Sequence, residues 1–202
     1  MPDQKIDNSQ QFDSVDQFLK RFVSVSKDDL RRLGQVLEYR SFPRKTIILE
    51  KGEMEDYLNL VATGLVRKFV VSGKKETTMQ LATEGHLIQS ELSFHLRQPS
   101  EVYIESIEPS VLVSISFSNV QMLLNEMPSA EKIARSMLAD MFVKKDMRYY
   151  NLLKKTTRER FLDYMEQHPH MLQRVPQKIL ASYLHIKPET FSRLKHLMLK
   201  KS

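Results

Sequence analysis

The chain of 202 residues contains no cysteine and no tryptophan, and its 5 glycines all lie at or before Gly85. The lack of cysteine excludes disulfide bonds, thiolate nucleophiles, cysteine-held zinc and cysteine-held iron–sulfur clusters. No run approaches the roughly 18 uninterrupted apolar residues of a membrane-spanning helix, and the polar start MPDQKIDNSQ is unlike a secretion signal. We therefore expect a cytoplasmic protein that has no membrane partner.

Positive charge is concentrated in the C-terminal part of the chain. Residues 1–118 hold 15 Lys and Arg against 17 Asp and Glu, whereas residues 119–202 hold 16 against 8. The two parts therefore carry net charges of −2 and +8. The positive surplus therefore lies entirely after residue 118, and this break in composition predicts a boundary near that residue.

Short β-type runs separated by turn residues fill the chain between residues 38 and 118. The runs are YRSF, TIILE, YLNLVAT, LVRKFVV, TTMQLA, EVYIESI and VLVSISF, and glycines such as Gly52 and Gly73 mark the turns between them. Many short strands with regular turns predict an antiparallel β-roll of the jelly-roll type. Ahead of the roll, apolar spacing within residues 18–23 predicts a short helix, and Ser26 is the expected N-cap of a second helix.

Beyond Ser118 the pattern becomes helical, and a break at Pro128 precedes a long helix. The apolar positions of this helix form a stripe that is too broad for one face of an exposed helix. They are Ala130, Ile133, Ala134, Met137, Leu138, Met141 and Phe142. One face is expected to pack on the roll and the other on the same helix of a second subunit, as in a two-fold homodimer. The alternative is a helix buried wholly within its own chain.

The segment from Gln177 to His196 predicts two short helices joined by a tight turn, which is a helix-turn-helix. Its expected buried positions are Leu180, Leu184, Ile186, Phe191 and Leu194. His185 stands at the turn, where glycine is usual because φ is positive, and Pro188 would open the second helix. Upstream, Thr156 and Glu159 have capping-box spacing and predict a further helix that packs behind the pair.

If the second helix of this pair lies in a major groove, its N-terminal residues face base edges and its flanks meet phosphates. Arg193 can donate a bidentate pair to guanine, and Glu189 can accept from a cytosine amino group. Thr190 and Ser192 can reach either a base or a phosphate. The expected phosphate contacts are Lys178, Lys187, Lys195 and Lys200. The alternative for this segment is an ordinary helical hairpin with a solvated basic face.

A β-roll, a long dimer-forming helix and a C-terminal helix-turn-helix, in this order, resemble the Crp/Fnr family of bacterial transcription regulators. The resemblance covers most of the chain, through the turn glycines Gly52, Gly64, Gly73 and Gly85 and through the tail RVPQKILASYLHIKPETFSRLKHL. It implies an α+β fold and places Glu189 and Arg193 on base-contacting positions. The DNA domain of the family is a winged helix, and the sequence ends six residues after His196, so the wing is expected to be short or absent.

The resemblance also implies a division of the chain into three parts. Residues 1–118 correspond to a cyclic-nucleotide-binding-like sensor roll with leading helices. Residues 119–150 correspond to the connecting and dimerisation helix, and residues 151–202 to the DNA-binding helix-turn-helix.

Family members that bind cyclic nucleotides grip the ribose with Gly-Glu and the cyclic phosphate with Arg followed by Ser or Thr. Counting from Gly85 places Gln89-Ser90 and Pro99-Ser100-Glu101 at these positions, so both anchors are missing. Glu101 would repel a phosphate at that point. We expect a pocket that does not bind cyclic AMP and whose own effector the sequence does not identify. Its candidate residues are Gln89, Ser90, Glu91, Arg97 and Ser100, where Glu91 and Arg97 are either displaced anchors or a surface ion pair.

The resulting prediction is a homodimeric, sequence-specific DNA-binding regulator with no catalytic residue, no metal and no cofactor. RNA polymerase is a further partner that the family implies. Haem held by His86 or His95 is the alternative for a cofactor. A cupin-type enzyme would need a metal site of paired histidines inside the roll, whereas the pair His168 and His170 lies outside it. A ligand-binding or protein-interaction module with a degenerate helix-turn-helix is the other alternative function.

Overall fold

The computed structural model describes residues 15–21 and 26–199. The polar segment predicted for the first dozen residues, and Phe22 and Val23 of the predicted leading helix, lie outside the described residues. Residues 15–20 form helix α1, and α2 spans Lys27–Val36. As predicted, Ser26 caps α2, because its Oγ accepts a hydrogen bond from the Asp29 amide at 3.1 Å.

The described residues then form eight strands and one short helix before the second helical region begins. These are β1 (Leu37–Phe42), β2 (Ile47–Leu49), β3 (Tyr57–Thr63), β4 (Val66–Ser72), β5 (Lys75–Ala82), β6 (Leu87–Ile88), α3 (Glu91–Leu96), β7 (Tyr103–Ser106) and β8 (Ser110–Ser116). The strands pair antiparallel in two four-stranded sheets, in the orders β1-β8-β3-β6 and β2-β7-β4-β5. This is the predicted jelly-roll-like β-roll; β6 and α3 were not predicted.

The period-two alternation of strand side chains separates two hydrophobic layers. Val61 in β3 and Leu112 in β8 point into the space between the sheets, where they pack with the other inward side chains of the roll. Their neighbours Leu60 and Val113 lie on the opposite face of the first sheet, under the helices. The first sheet is therefore covered on both faces, and its outer face carries the leading and connecting helices.

Two helices connect the roll to the C-terminal part of the chain: α4 (Phe117–Glu126) and α5 (Ala130–Lys154). Residue 118 lies in the first turn of α4, and residue 150 lies inside α5. Near the start of α5, Ala130 and Ile133 are buried against the helix-covered face of the roll, as the apolar stripe predicts. The same stripe leaves apolar side chains exposed further along this helix.

The C-terminal part contains α6 (Thr157–Gln167), α7 (Met171–Arg174), α8 (Gln177–Tyr183) and α9 (Pro188–Leu199). The predicted capping box is present: Glu159 donates its backbone N–H to Thr156 Oγ1, and the Glu159 carboxylate accepts from the Thr156 amide. Helices α8 and α9 form the predicted helix-turn-helix. Of the expected seam, Leu180, Leu184, Ile186 and Phe191 are buried and Leu194 is half-buried. No strand follows α9 among the residues that the structure describes, which end at residue 199.

His185 occupies the turn between α8 and α9 with φ 53°, the left-handed conformation that the sequence predicts there. Replacing it by glycine is expected to raise the free energy of unfolding by about 1 kcal/mol, because a side chain in this conformation costs about 1–2 kcal/mol. The turn itself is held through backbone atoms, since the His185 amide donates to the Ser182 carbonyl and the His185 carbonyl accepts from Arg160. Urea unfolding measures the change.

The control is His185→Ala, which removes the imidazole and keeps the Cβ, so it is expected to bring no gain. A glycine variant that is less stable than the alanine variant would contradict a strained turn.

Candidate DNA interface and effector pocket

The predicted base-reading residues lie on α9. Glu189, Ser192 and Arg193 are exposed, and Thr190 is half-buried. Residues three and four positions apart share one face of a helix, so Glu189, Ser192 and Arg193 present a single exposed face. His196 continues this face one turn later and is also exposed. His196 was not among the predicted residues, although its spacing from Glu189 could have revealed it.

The predicted phosphate-contacting lysines lie at the edges of the helix pair. Lys178 is in the first turn of α8, Lys187 directly precedes α9, and both are exposed. Lys195 is half-buried on α9. Lys200 lies outside the described residues.

Two arginines that the sequence analysis did not single out hold the carbonyl groups at the end of α8. Arg148 of α5 donates to the Tyr183 carbonyl at 2.7 Å and stacks over the Tyr183 ring with 3.7 Å to its centroid. Arg160 of α6 donates to the carbonyls of Leu184 and His185 at 3.1 and 3.2 Å. Arginine near the end of a helix satisfies carbonyl groups that have no partner within the helix. These contacts fix the turn that orients α9.

Helix α8 is docked on strand β5 of the roll. Ser182 Oγ accepts from the Thr78 amide at 2.9 Å and donates to the Glu76 carbonyl at 3.2 Å. Leu65 and Ile107 of the roll belong to the same buried cluster as the core of the helix-turn-helix. The two parts therefore share a packed and hydrogen-bonded interface.

Arg174 of α7 extends this interface as a clamp on the roll. Its guanidinium donates to the Glu108 carboxylate at 2.7 Å, to the Glu84 carboxylate at 2.9 Å and to the Gly64 carbonyl at 3.1 Å. Burial would raise the pKa of Glu84, but the hydrogen bonds and charge of Arg174, together with the backbone amides of Glu84 and Gly64, outweigh it and hold this pKa below its usual range. Hydrogen bonds to Glu108 and Glu84 raise the pKa of Arg174, so its guanidinium stays charged in the clamp.

The predicted effector-pocket residues Gln89, Ser90 and Ser100 come together in the roll and are buried. Ser100 Oγ donates to Ser90 Oγ at 3.0 Å, so these two hydroxyl groups bind each other. Glu101, next to them in sequence, is exposed and pairs with Lys51 at 2.7 Å.

Glu91 and Arg97 do not face each other. Glu91 pairs with the buried Lys68 at 2.6 Å and with Lys145 of α5 at 2.9 Å. Burial lowers the pKa of Lys68, while Glu91 opposes this shift. Burial would raise the pKa of Glu91, but the two lysines outweigh it and lower this pKa. Lys68 was missed from the sequence, because an alternating strand pattern gives no sign of a buried cation.

Arg97 has partners of its own, so the two side chains do not form the ion pair with each other that the sequence left open. Its guanidinium donates to the Asp56 carboxylate and, at 2.8 Å, to the Glu55 carbonyl. It also stacks over the Phe117 ring at 4.2 Å. Arg97 itself has φ 52° at the end of α3, so these contacts hold a left-handed residue in place.

The histidines considered for haem or metal lie apart from one another. His86 is within 3.3 Å of the Thr83 hydroxyl and carbonyl, and His95 packs edge-on against Phe94. The rings of His168 and His170 lie 6.3 Å apart around the end of α6, outside the roll. Within the described part of the chain, no three His, Asp or Glu side chains are grouped so that they could hold a metal ion.

An antiparallel β-roll joined through α5 to a C-terminal helix-turn-helix defines a two-part architecture that solved structures share. FixK2 from Bradyrhizobium japonicum has 18% identity and a TM-score of 0.70, covering 82% of this chain and 86% of that chain. A protein from Eubacterium rectale described as a Crp/Fnr family transcriptional regulator has 15% identity and a TM-score of 0.66, covering 87% and 85%. A cyclic nucleotide-binding domain from Methylobacillus flagellatus has 23% identity and a TM-score of 0.64, covering 72% and 84%.

The protein therefore has the fold of the Crp/Fnr transcription regulators, as the resemblance predicted. No family model and no curated protein matches the sequence. Over the residues that the structure describes, no helix is long and apolar enough to span a membrane.

Proposed function

We propose that this protein is a homodimeric, sequence-specific DNA-binding transcription regulator, with a sensor roll at 1–118, a dimerisation helix at 119–150 and a DNA-binding part at 151–202. The observation that carries the proposal is the exposed face of α9. It combines Glu189, Ser192 and Arg193, which have the hydrogen-bonding groups for base edges. Residues 170–202 carry seven Lys and Arg against one Glu, which supplies the charge that a phosphate backbone attracts.

A second copy of the chain is the partner that fits the exposed side of α5. Leu138 is 49% exposed and Phe142 is 72% exposed, and Tyr149 and Leu153 continue this side over three turns. Single exposed apolar residues are ordinary, but a stripe along one long helix is typical of an interface. A two-fold dimer through α5 would pair two recognition helices with two half-sites of DNA.

The contacts in the roll support a regulator that does not depend on cyclic AMP. A cyclic phosphate needs a cation or clustered N–H donors. The buried cation next to Ser90, Lys68, is already bound to Glu91 and to the Gln89 carbonyl. Arg97 is likewise bound to Asp56. Calorimetric titration is expected to show no micromolar binding of cyclic AMP, and such binding would overturn this part of the proposal.

The proposal includes a cytoplasmic location, an unidentified small-molecule effector, contact with RNA polymerase and no enzymatic activity. An interaction module with a degenerate helix-turn-helix is the second candidate function. The observation that favours it is the docking of the C-terminal helices on the roll, through Ser182 on β5 and through the Arg174 clamp. A docked helix pair also suits a fixed structural role.

The test begins with selection of duplex DNA from a random pool by the purified full chain. We expect an enriched near-palindrome with half-sites about 10 base pairs apart, because a two-fold dimer places two α9 helices in successive major grooves. Arg193→Ala is expected to weaken binding to the selected site by about 1–3 kcal/mol and to relax one base position. Its affinity for random DNA should change far less.

Lys195→Ala is the matched comparison on the same helix. It is expected to weaken binding to all sequences alike. It should also reduce the slope of the logarithm of the binding constant against the logarithm of the salt concentration by about one. Equal losses on selected and random DNA for both variants would contradict the assigned roles. A pool without any enriched sequence would leave either a missing effector or the interaction module.

A further inference from the structure

A partly open cavity of about 290 Å³ lies between the outer face of the β1-β8-β3-β6 sheet and helices α1, α2, α4 and α5. Its walls are mainly apolar side chains from each of these elements, among them Phe18, Leu33, Leu60, Met127 and Ile133. Small-molecule sites are concave, mostly apolar and about 300–1,000 Å³ in volume, so this cavity is at the small end of that range.

One polar group in the wall has no protein partner. Gln89 lines the cavity and is 1% exposed, yet its side-chain amide makes no hydrogen bond with any described residue, and its Oε1 is buried without a partner. Buried amides in folded proteins are normally satisfied. Gln80 follows this rule, because its Nε2 donates to the Leu87 carbonyl at 2.7 Å. The Gln89 amide therefore has hydrogen-bonding capacity that no described residue uses.

The charge of the wall restricts the chemistry of such a molecule. The described residues that line the cavity include no lysine, arginine, aspartate or glutamate, and Gln121 and His95 are the polar members besides Gln89. A buried ion without a partner is strongly disfavoured, so an anionic ligand such as a nucleotide does not fit. Leu124 and Leu138 line the cavity and are 37% and 49% exposed, which places its opening on the α4–α5 side.

We propose that this cavity binds an uncharged, apolar molecule that carries one hydroxyl group. At roughly 30 Å³ for each non-hydrogen atom, the volume that one water molecule occupies, the cavity holds about 10 such atoms. The apolar part fills the space between sheet and helices, and the hydroxyl group hydrogen-bonds with the Gln89 amide. The identification of this molecule as the effector rests on the proposed regulatory function, whereas its binding does not. The cavity shares Gln89 with the positions where the cyclic nucleotide anchors would lie, but Ser90 and Ser100 do not line it.

The probe for this site is 4-propylphenol, and the readout is the NMR spectrum of the full chain with ¹³C-labelled methionine methyl groups. Met127, Met137 and Met141 line the cavity, whereas Met165 and Met171 are buried in the cluster of the helix-turn-helix. We expect saturable shifts of the first three signals and none of the last two. Propylbenzene, which lacks the hydroxyl group, is expected to bind about tenfold more weakly because one hydrogen bond is lost.

Two variants separate the site from non-specific binding. Gln89→Leu keeps the side-chain size and is expected to abolish the tenfold preference for the phenol, while Gln98→Leu, at an exposed position outside the cavity, should leave it unchanged. Ala134→Phe places a ring in the cavity and is expected to prevent the shifts. Circular dichroism of each variant establishes that it folds, and if Ala134→Phe fails to fold, Gln89→Leu still decides the question.

Absence of any shift at millimolar probe, shifts spread over all methionines, or an unchanged preference in Gln89→Leu would each overturn the proposal. Probe binding without any selected DNA sequence would support the site and contradict the proposed function. A selected DNA sequence without probe binding would support the proposed function and contradict the site.

Discussion

Replacing Gly64 by alanine is expected to lower the free energy of unfolding by about 4 kcal/mol or more, the range reserved for severe steric and backbone defects. Gly64 has φ +96°, and a Cβ added there would lie 2.5 Å from the Pro109 carbonyl oxygen, 2.8 Å from Ser110 Cα and closer still to Ser110 Oγ. Two of these atoms belong to the backbone, so a change of side-chain rotamer cannot relieve the clash.

The position of Gly64 adds to this effect. Its amide donates to Glu84 and its carbonyl accepts from Arg174, so a shift of this turn would also disturb the clamp between the roll and the C-terminal helices. The turn between β3 and β4 therefore joins the two parts of the molecule.

Gly52→Ala is the matched control for this prediction. Gly52 has nearly the same φ, +95°, but no described atom lies within 4 Å of the added Cβ. It is expected to show only the conformational penalty of about 1–2 kcal/mol. Urea unfolding of both variants measures the difference, and equal losses would show that contact with Pro109 and Ser110 does not matter.

Between pH of about 5 and 8, the wild-type protein is expected to lose about 3 kcal/mol of stability relative to a Glu55→Gln variant. Glu55 is 4% exposed, and burial raises its pKa from 4.5 to about 7, although the amides of Ser90 and Tyr57 donate to its carboxylate. The folded-state pKa lies above the unfolded value, so the native state retains a proton that the unfolded chain has lost. Stability from this group is complete below pH of about 4.5 and falls as the pH rises through about 7.

The comparison with Glu55→Gln is needed because other groups titrate in the same range. Arg40 lowers and Asp56 raises the pKa of Glu55. Burial lowers the pKa values of His168 and His185, so their contribution to the free energy of unfolding decreases as the pH falls. This trend is opposite to that of Glu55. The histidine contributions are common to both proteins and cancel in the difference. Urea unfolding at a series of pH values gives that difference, and a constant value would contradict a carboxyl group with a raised pKa.

Local patterns in the sequence predicted the secondary structure where the elements were long or had distinctive ends. The capping box at Thr156 and Glu159, the cap at Ser26 and the turn at His185 each depend on a few neighbouring residues, and each is present in the structure. Strand β6 and helix α3 were missed because two and six residues are too few to establish a period.

In the candidate sites, too, some features could be predicted from the sequence and others could not. The spacing of Glu189, Ser192 and Arg193 placed them on one exposed helix face, because helical periodicity alone determines which side chains share a face. The missing cyclic nucleotide anchors could also be identified in the sequence, by counting from Gly85. The Lys68–Glu91 pair could not be predicted, because those two residues are 23 positions apart.

The sequence by itself determined the absence of thiol chemistry, the basic C-terminal part, the roll and the helix-turn-helix, because composition and short-range periodicity carry this information. Only the tertiary structure decided that Arg174 clamps Gly64 across 110 positions, that the side-chain amide of Gln89 is buried without a partner, and that a cavity remains under α4 and α5. Such contacts depend on how layers pack against one another. No local pattern records which distant residues will meet or where packing leaves space.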